Sequence, residues 1–198
     1  MQFLQIIPLM DYFKKLLNVL VRPRDAAAKL KAEKGTSKAL NFLLISLVIS
    51  AIIMLIPDFV HQNDIATSIF MQIQTVVSGV FLAFIPSGLI HVIMKFFGDS
   101  KAFHQSFKAV AYSYAVNIPF SICAILIEFV SSLSFMNYLL AAWSIVVTIV
   151  FLRKYSDLSR TRFILAMMAI IVIPIIIVLV AIGFLAYYGV LSPQNLVQ

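Results

Sequence analysis

Long apolar stretches closed off by charge divide this chain. Lys38 and Asp58 bracket nineteen residues without an acidic or basic side chain, and Asp64 and Lys95 bracket thirty. Lys108 and Glu128 bracket nineteen more, Glu128 and Arg153 twenty-four, and no charge follows Arg162. The stretches lack the polar–apolar alternation that a membrane β-barrel strand needs. A hydrocarbon core of ~30 Å takes about 20 helical residues to cross. The pattern therefore predicts an all-α polytopic membrane protein. Its five transmembrane helices are expected near 39–57, 67–94, 109–128, 135–152 and 163–188, forming one membrane domain over 38–188.

A different pattern precedes the first span. Within 8–20, Leu9, Phe13, Leu16 and Leu20 recur at spacings of three and four, joined by Met10 and Leu17. Asp11, Lys14, Lys15 and Asn18 fall opposite. This predicts an interfacial amphipathic helix, with Pro8 in its first turn and Asp11 near the positive end of its dipole. Pro23 ends it, and Asp25 is expected to cap a second, short basic helix that closes at Gly35. Residues 1–37 thus form an N-terminal segment, read as cytoplasmic, and 189–198 a tail on the far side. The N-terminus does not read as a signal peptide, since its charges follow its apolar residues.

Composition agrees with lipid as the solvent: 62% hydrophobic residues, 12% charged and a mean hydropathy of +1.03 over 198 residues. The fifteen Lys and Arg residues then sharpen the topology. Eight precede the first span, including Lys14, Lys15, Arg22, Arg24, Lys34 and Lys38. Lys95, Lys101 and Lys108 lie between spans two and three, and Arg153, Lys154, Arg160 and Arg162 between spans four and five. The opposite end holds only Asp58, Asp64 and Glu128. The positive-inside rule places the N-terminus in the cytoplasm and the C-terminus outside. The net charge of +7 is thereby assigned to anionic headgroups, and no nucleic acid is needed to explain it.

Polar residues inside the spans are the candidate functional positions. Ser113, Asn117 and Ser121 recur every four residues on one face of span three, and Ser87, Ser144 and Thr148 are available on spans two and four. Hydrogen bonds between helices are the expected use of this strip, and a lining for a cleft the alternative. Gly79, Ala83 and Ser87 form a small-residue stripe suited to close packing. Pro86, Pro119 and Pro174 fall in one layer, roughly 12–17 Å from the basic surface at the helical rise, and are expected to kink their helices there.

Catalytic and metal-binding chemistry is poorly represented. No acidic or basic side chain lies deep in a span, which argues against proton-coupled transport. His61 and Asp64 share a short loop but make no ligand set, His91 reads as an interfacial residue close to Lys95 rather than a ligand, and His104 has no nucleophile nearby. Cys123 lacks a disulfide partner. The chain reads as a non-enzyme without cofactor or metal.

Three stretches carry a family resemblance. "LVRPRDAAAKL", "FFGDSKAFHQSFKAVAYSYAVNIP" and "LRKYSDLSRTRFILAMMAIIVIP" resemble the entry segment, the central loop with its following helix, and the final span of the Yip1 domain family. The resemblance covers roughly 15–190 and gives Gly98, Phe103, Tyr112, Asn117 and Pro119 shared positions. It implies a five-span protein with a cytoplasmic N-terminus. Eukaryotic members are implicated in endoplasmic reticulum–Golgi transport and contacts with small GTPases. The aspartate–leucine–tyrosine–glycine–proline segment of those members does not occur here, and the short form is similar to prokaryotic members. The expected function is a membrane-organising, trafficking-like or partner-binding role, with a soluble protein or a second copy as partner. The alternative is a passive solute or lipid transporter or channel working through the polar strip.

Overall fold

A computed structural model describes residues 9–33, 35–61 and 64–187. Pro8, Lys34, the side chain of Leu9 and the tail 189–198 lie outside the described residues. Helices α1 (Leu9–Val21) and α2 (Pro23–Lys31) precede α3 (Ser37–Val60) and α4 (Ile65–Phe96). The third span is divided into α5 (Phe103–Ser113) and α6 (Asn117–Phe129) by a 3₁₀ turn over Tyr114–Val116. Helices α7 (Phe135–Tyr155) and α8 (Arg160–Tyr187) complete the chain. Five segments are long and apolar enough to cross a membrane: Ser37–Val60, Ile65–Phe96, Phe103–Phe129, Ser131–Tyr155 and Arg160–Phe184. The third begins six residues earlier than the charge pattern predicts, because Lys108 does not end the helix.

Proline acts differently at its three positions. Both α4 and α8 remain α-helical through Pro86 and Pro174. Only span three changes helix type, in the turn just before Pro119. A proline removes one amide donor and its ring crowds the carbonyl four residues back, which here is Ala115 inside the 3₁₀ turn. Helix type therefore changes beside one of the three prolines alone.

The small-residue stripe on α4 packs as expected. Gly79, Ala83 and Ser87 are all buried, and a methyl group on Gly79 would meet Leu47 Cδ2 of α3 at 2.8 Å. The end of α4 is set by Gly98, whose φ is +91°. Its amide donates to the Lys95 carbonyl (2.9 Å) and the Asp99 amide to the Met94 carbonyl (3.0 Å). This is the paired closure of a left-handed helix cap, which favours glycine. Gly98→Ala should destabilise the protein by about 1 kcal/mol from the left-handed backbone alone. The nearest neighbour of the added methyl is the flexible end of Arg162 at 3.3 Å. Thermal unfolding in mild detergent measures the loss.

The N-terminal helices lie alongside the bundle. Helix α1 buries Tyr12, Leu16 and Val19, a face rotated from the predicted one, and Phe13 is exposed. The reason is Tyr12, whose hydroxyl shares a 2.9 Å hydrogen bond with Ser46 Oγ while its ring sits 5.1 Å from Phe42. That partner lets an aromatic with a polar end occupy the buried position. The Leu20 carbonyl accepts a hydrogen bond from Trp143 Nε1 at 3.1 Å. Trp143 stands twelve residues before the end of α7, about 18 Å along that helix. Helix α2 then runs back beside α7 until Lys31 Nζ donates to the Lys154 carbonyl at 2.9 Å. Arg22, not Asp25, occupies the cap position of α2, and Pro23 begins the helix. Met10, Phe13, Leu17 and Val21 leave α1 with a second apolar face, turned away from the bundle.

Candidate functional site: a carboxylate knot at the basic end

Glu33 lies in the short connection between α2 and α3, and three side chains from two helices converge on it. Lys15 of α1 donates to its Oε1 at 2.6 Å. Tyr112 of α5 donates its hydroxyl to Oε2 at 2.5 Å. Lys108, one turn earlier on α5, donates its ammonium to the Glu33 backbone carbonyl. Both side chains of α5 point the same way because they are four residues apart.

Burial pushes the Glu33 carboxyl upward. Hydrogen bonds from Lys15 and Tyr112, with the charges of Lys15 and Lys38, outweigh it and hold the group below its ordinary value of 4.5. A carboxylate with two charged or hydroxyl donors makes stronger bonds than a neutral acceptor would. The knot thus ties the N-terminal helices to span three.

Beneath Glu33 the aromatic rings continue the connection. Phe42 of α3 lies 5.1 Å from both Tyr12 and Tyr112. Phe151 of α7 lies 5.8 Å from Tyr112 and 5.6 Å from Tyr155. All five side chains are buried. The Tyr112 ring therefore fills space between α3 and α7 while its hydroxyl reaches the connection above, so one residue serves packing and polarity at once.

Lys108 is a correction to the basic surface expected from the sequence. It is buried, because α5 starts at Phe103 and carries Lys108 into the packed part of the bundle. Lys15 is drawn into the knot. Lys101 pairs with Asp157 at 2.7 Å, joining the α4–α5 and α7–α8 connections. The Asp157 carboxyl is held below its usual range by hydrogen bonds from Lys101 and Ser100. Lys14, Arg22, Arg24, Arg153, Lys154, Arg160 and Arg162 are exposed.

The polar strip is placed less favourably for binding. Ser87, Ser113 and Ser121 are buried, and Asn117, Ser144 and Thr148 half-buried. The hydroxyls of Ser87, Ser113 and Thr148 donate to Ala83, Val110 and Ser144 carbonyls of their own helices, at 2.5, 2.7 and 2.9 Å. Hydrogen bonds between helices were expected there; the carbonyl one turn back is always in reach and wins. Asp64 caps α4, accepting from the Ala66 amide at 3.1 Å and the Thr67 hydroxyl at 2.6 Å. His61 lies 3.7 Å from Glu128, and His91 packs edge-on against Phe103. Cys123 is half-buried with a free thiol.

Sequence reasoning missed Glu33. The available signal was a lone acid amid Lys29, Lys31, Lys34 and Lys38, facing a Lys108–Tyr112 pair at helical spacing.

Five helices long and apolar enough to cross a membrane define a helical multi-pass membrane protein. More narrowly, the chain belongs to the Yip1 domain family, whose sequence model matches residues 17–182. No curated protein and no solved structure matches it. The shared motif positions carry the framework just described: Gly98 closes α4, Phe103 stacks on Phe84, Tyr112 binds Glu33, and Asn117 and Pro119 open α6.

Proposed function

We propose that this chain is a non-enzymatic membrane-organising protein whose basic end faces the cytoplasm of a prokaryotic cell. The observation that carries this reading is the position of α1 and α2. They pack beside α3 and α7 along the stretch from Lys154 to Trp143, about 18 Å of α7. That stretch is broader by two helices, and the outer face of α1 offers Met10, Phe13, Leu17 and Val21 to acyl chains. An amphipathic helix held in one leaflet expands that leaflet relative to the other, which favours curvature. The Glu33 knot fixes the wedge to the spans, so its shape is a property of the whole protein. Exposed Lys and Arg side chains at the same end attract anionic headgroups.

The test is reconstitution into phosphatidylcholine–phosphatidylglycerol vesicles, imaged by cryo-electron microscopy. Wild-type protein should narrow the vesicle diameters. Phe13→Gln with Leu17→Gln should remove at least about half of that effect, since the outer face of α1 would leave the acyl region. Equal diameters for wild type and variant defeat the wedge reading.

The passive transporter is the second reading. It draws on Asn117, half-buried beside the break between α5 and α6. Solute or lipid flux that falls on Asn117→Leu while vesicle shape is unchanged would favour it.

A further inference from the structure

A notch of about 590 Å³ opens where α2, the end of α7 and the start of α8 meet. Arg24, Arg153 and Lys154 line it together with Ile149, Val150 and Phe163. Its one acid, Asp157, is already bound by Lys101 and Ser100, at 2.7 and 2.9 Å. Arg153 is fixed in place: it donates to the Leu158 carbonyl at 2.7 Å and lies 5.1 Å over the Phe163 ring. No other hydrogen bond engages its guanidinium among the described residues. Neither Arg24 nor Lys154 has a side-chain ion pair or hydrogen bond among the described residues. The Ser156 hydroxyl, also on the lining, is buried without a partner.

Three cations with one neutralised acid leave a net positive site. A planar guanidinium with free donors, a second guanidinium and an ammonium match a phosphate group. The wall below them is aliphatic and aromatic, and it continues along α7 and α8, two membrane-spanning helices. A soluble phosphate has no use for that wall; an acyl chain does. The geometry points to a binding site for a single anionic phospholipid, its phosphate held by Arg24, Arg153 and Lys154 and its chain laid along Ile149, Val150 and Phe163. The inference builds on the reading that the basic end meets anionic lipid, and it replaces a diffuse attraction with one site. Because α2 forms one side of the notch, the lipid joins the N-terminal wedge to α7 and α8.

Native mass spectrometry of the full chain in mild detergent tests this, with dioctanoyl phosphatidylglycerol and dioctanoyl phosphatidylcholine as probes. Wild-type protein should retain one phosphatidylglycerol in clear preference to phosphatidylcholine. Arg24→Gln with Lys154→Gln, both at exposed side chains, should weaken that adduct at least about tenfold through loss of two charge-assisted contacts. Lys14→Gln with Lys29→Gln removes the same charge outside the notch and should leave it intact. Lys154→Arg should also retain it. Equal losses in both double variants would reduce the effect to general surface charge and overturn the site. So would a wild type that does not distinguish the two lipids. Displacement of the lipid by millimolar inorganic phosphate would assign the notch to a soluble phosphate and overturn the lipid assignment. The vesicle diameters reported by the α1 variants do not depend on this result, so the two proposals fail separately.

Discussion

Glu33→Ala is expected to cost about 2–3 kcal/mol and to release α1 and α2 from the bundle. Two donors lose their acceptor at once: Lys15 Nζ at 2.6 Å and the Tyr112 hydroxyl at 2.5 Å. Tyr112 is buried, so its hydroxyl has no ready replacement partner. Leaving a buried donor unsatisfied costs about 1–3 kcal/mol, and a partly buried ion pair is lost in addition. Tyr112→Phe removes donor and need together and should cost only about 1 kcal/mol. Limited proteolysis between residues 22 and 37, read beside thermal unfolding, distinguishes a released hairpin from global weakening. The effect also has a defined pH dependence. The folded-state carboxyl lies below its ordinary value of 4.5, so its stabilising contribution is fully present above that value. It is lost as pH falls through the lowered value. The stability gap between wild type and Glu33→Gln should therefore be constant near neutrality and close on acidification. A gap that widened in acid would contradict the assigned charge state.

Phe42→Ala should be at least as damaging, at about 3–4 kcal/mol, the usual range for deleting a buried ring. The ring is fully buried and touches Tyr12 on one side and Tyr112 on the other, both at 5.1 Å between centroids. No other side chain bridges α1 to α5 through the interior in this way among the aromatic pairs described. The cavity would loosen Tyr112 and so weaken its bond to Glu33. The two substitutions should therefore not add: Phe42→Ala combined with Glu33→Ala is expected to cost less than the sum by about 1 kcal/mol. Additive losses would mean that ring stack and carboxylate knot act independently. Unfolding in mild detergent, followed by the single Trp143, measures all three variants.

Together these expectations locate what the protein depends on at its basic end. The spans pack through small residues and rings, as at Gly79 against Leu47. The N-terminal helices add polar attachments instead, at Glu33, at Ser46 and at the Lys154 carbonyl. Polar attachments suit the region where helices leave hydrocarbon, since lipid gives apolar side chains little reason to associate there.

The sequence by itself determined the class and the five apolar spans. Those features depend on composition over twenty residues or more, and lipid as solvent makes that composition decisive. The resemblance carried by the glycine, phenylalanine, tyrosine and proline of the central loop was likewise legible, and the family match agrees with it. Only the tertiary structure decided what single polar residues do. Glu33 and Lys108 are 75 residues apart, and no periodicity relates them. Tyr12 takes the buried position on α1 because Ser46, 34 residues away, supplies its partner. Ser87, Ser113 and Thr148 read as a strip until their own carbonyls satisfy them. Apolar burial in a membrane is additive along the chain and can be read locally. Hydrogen-bond satisfaction is pairwise and set by which helices meet, so it waits for the fold.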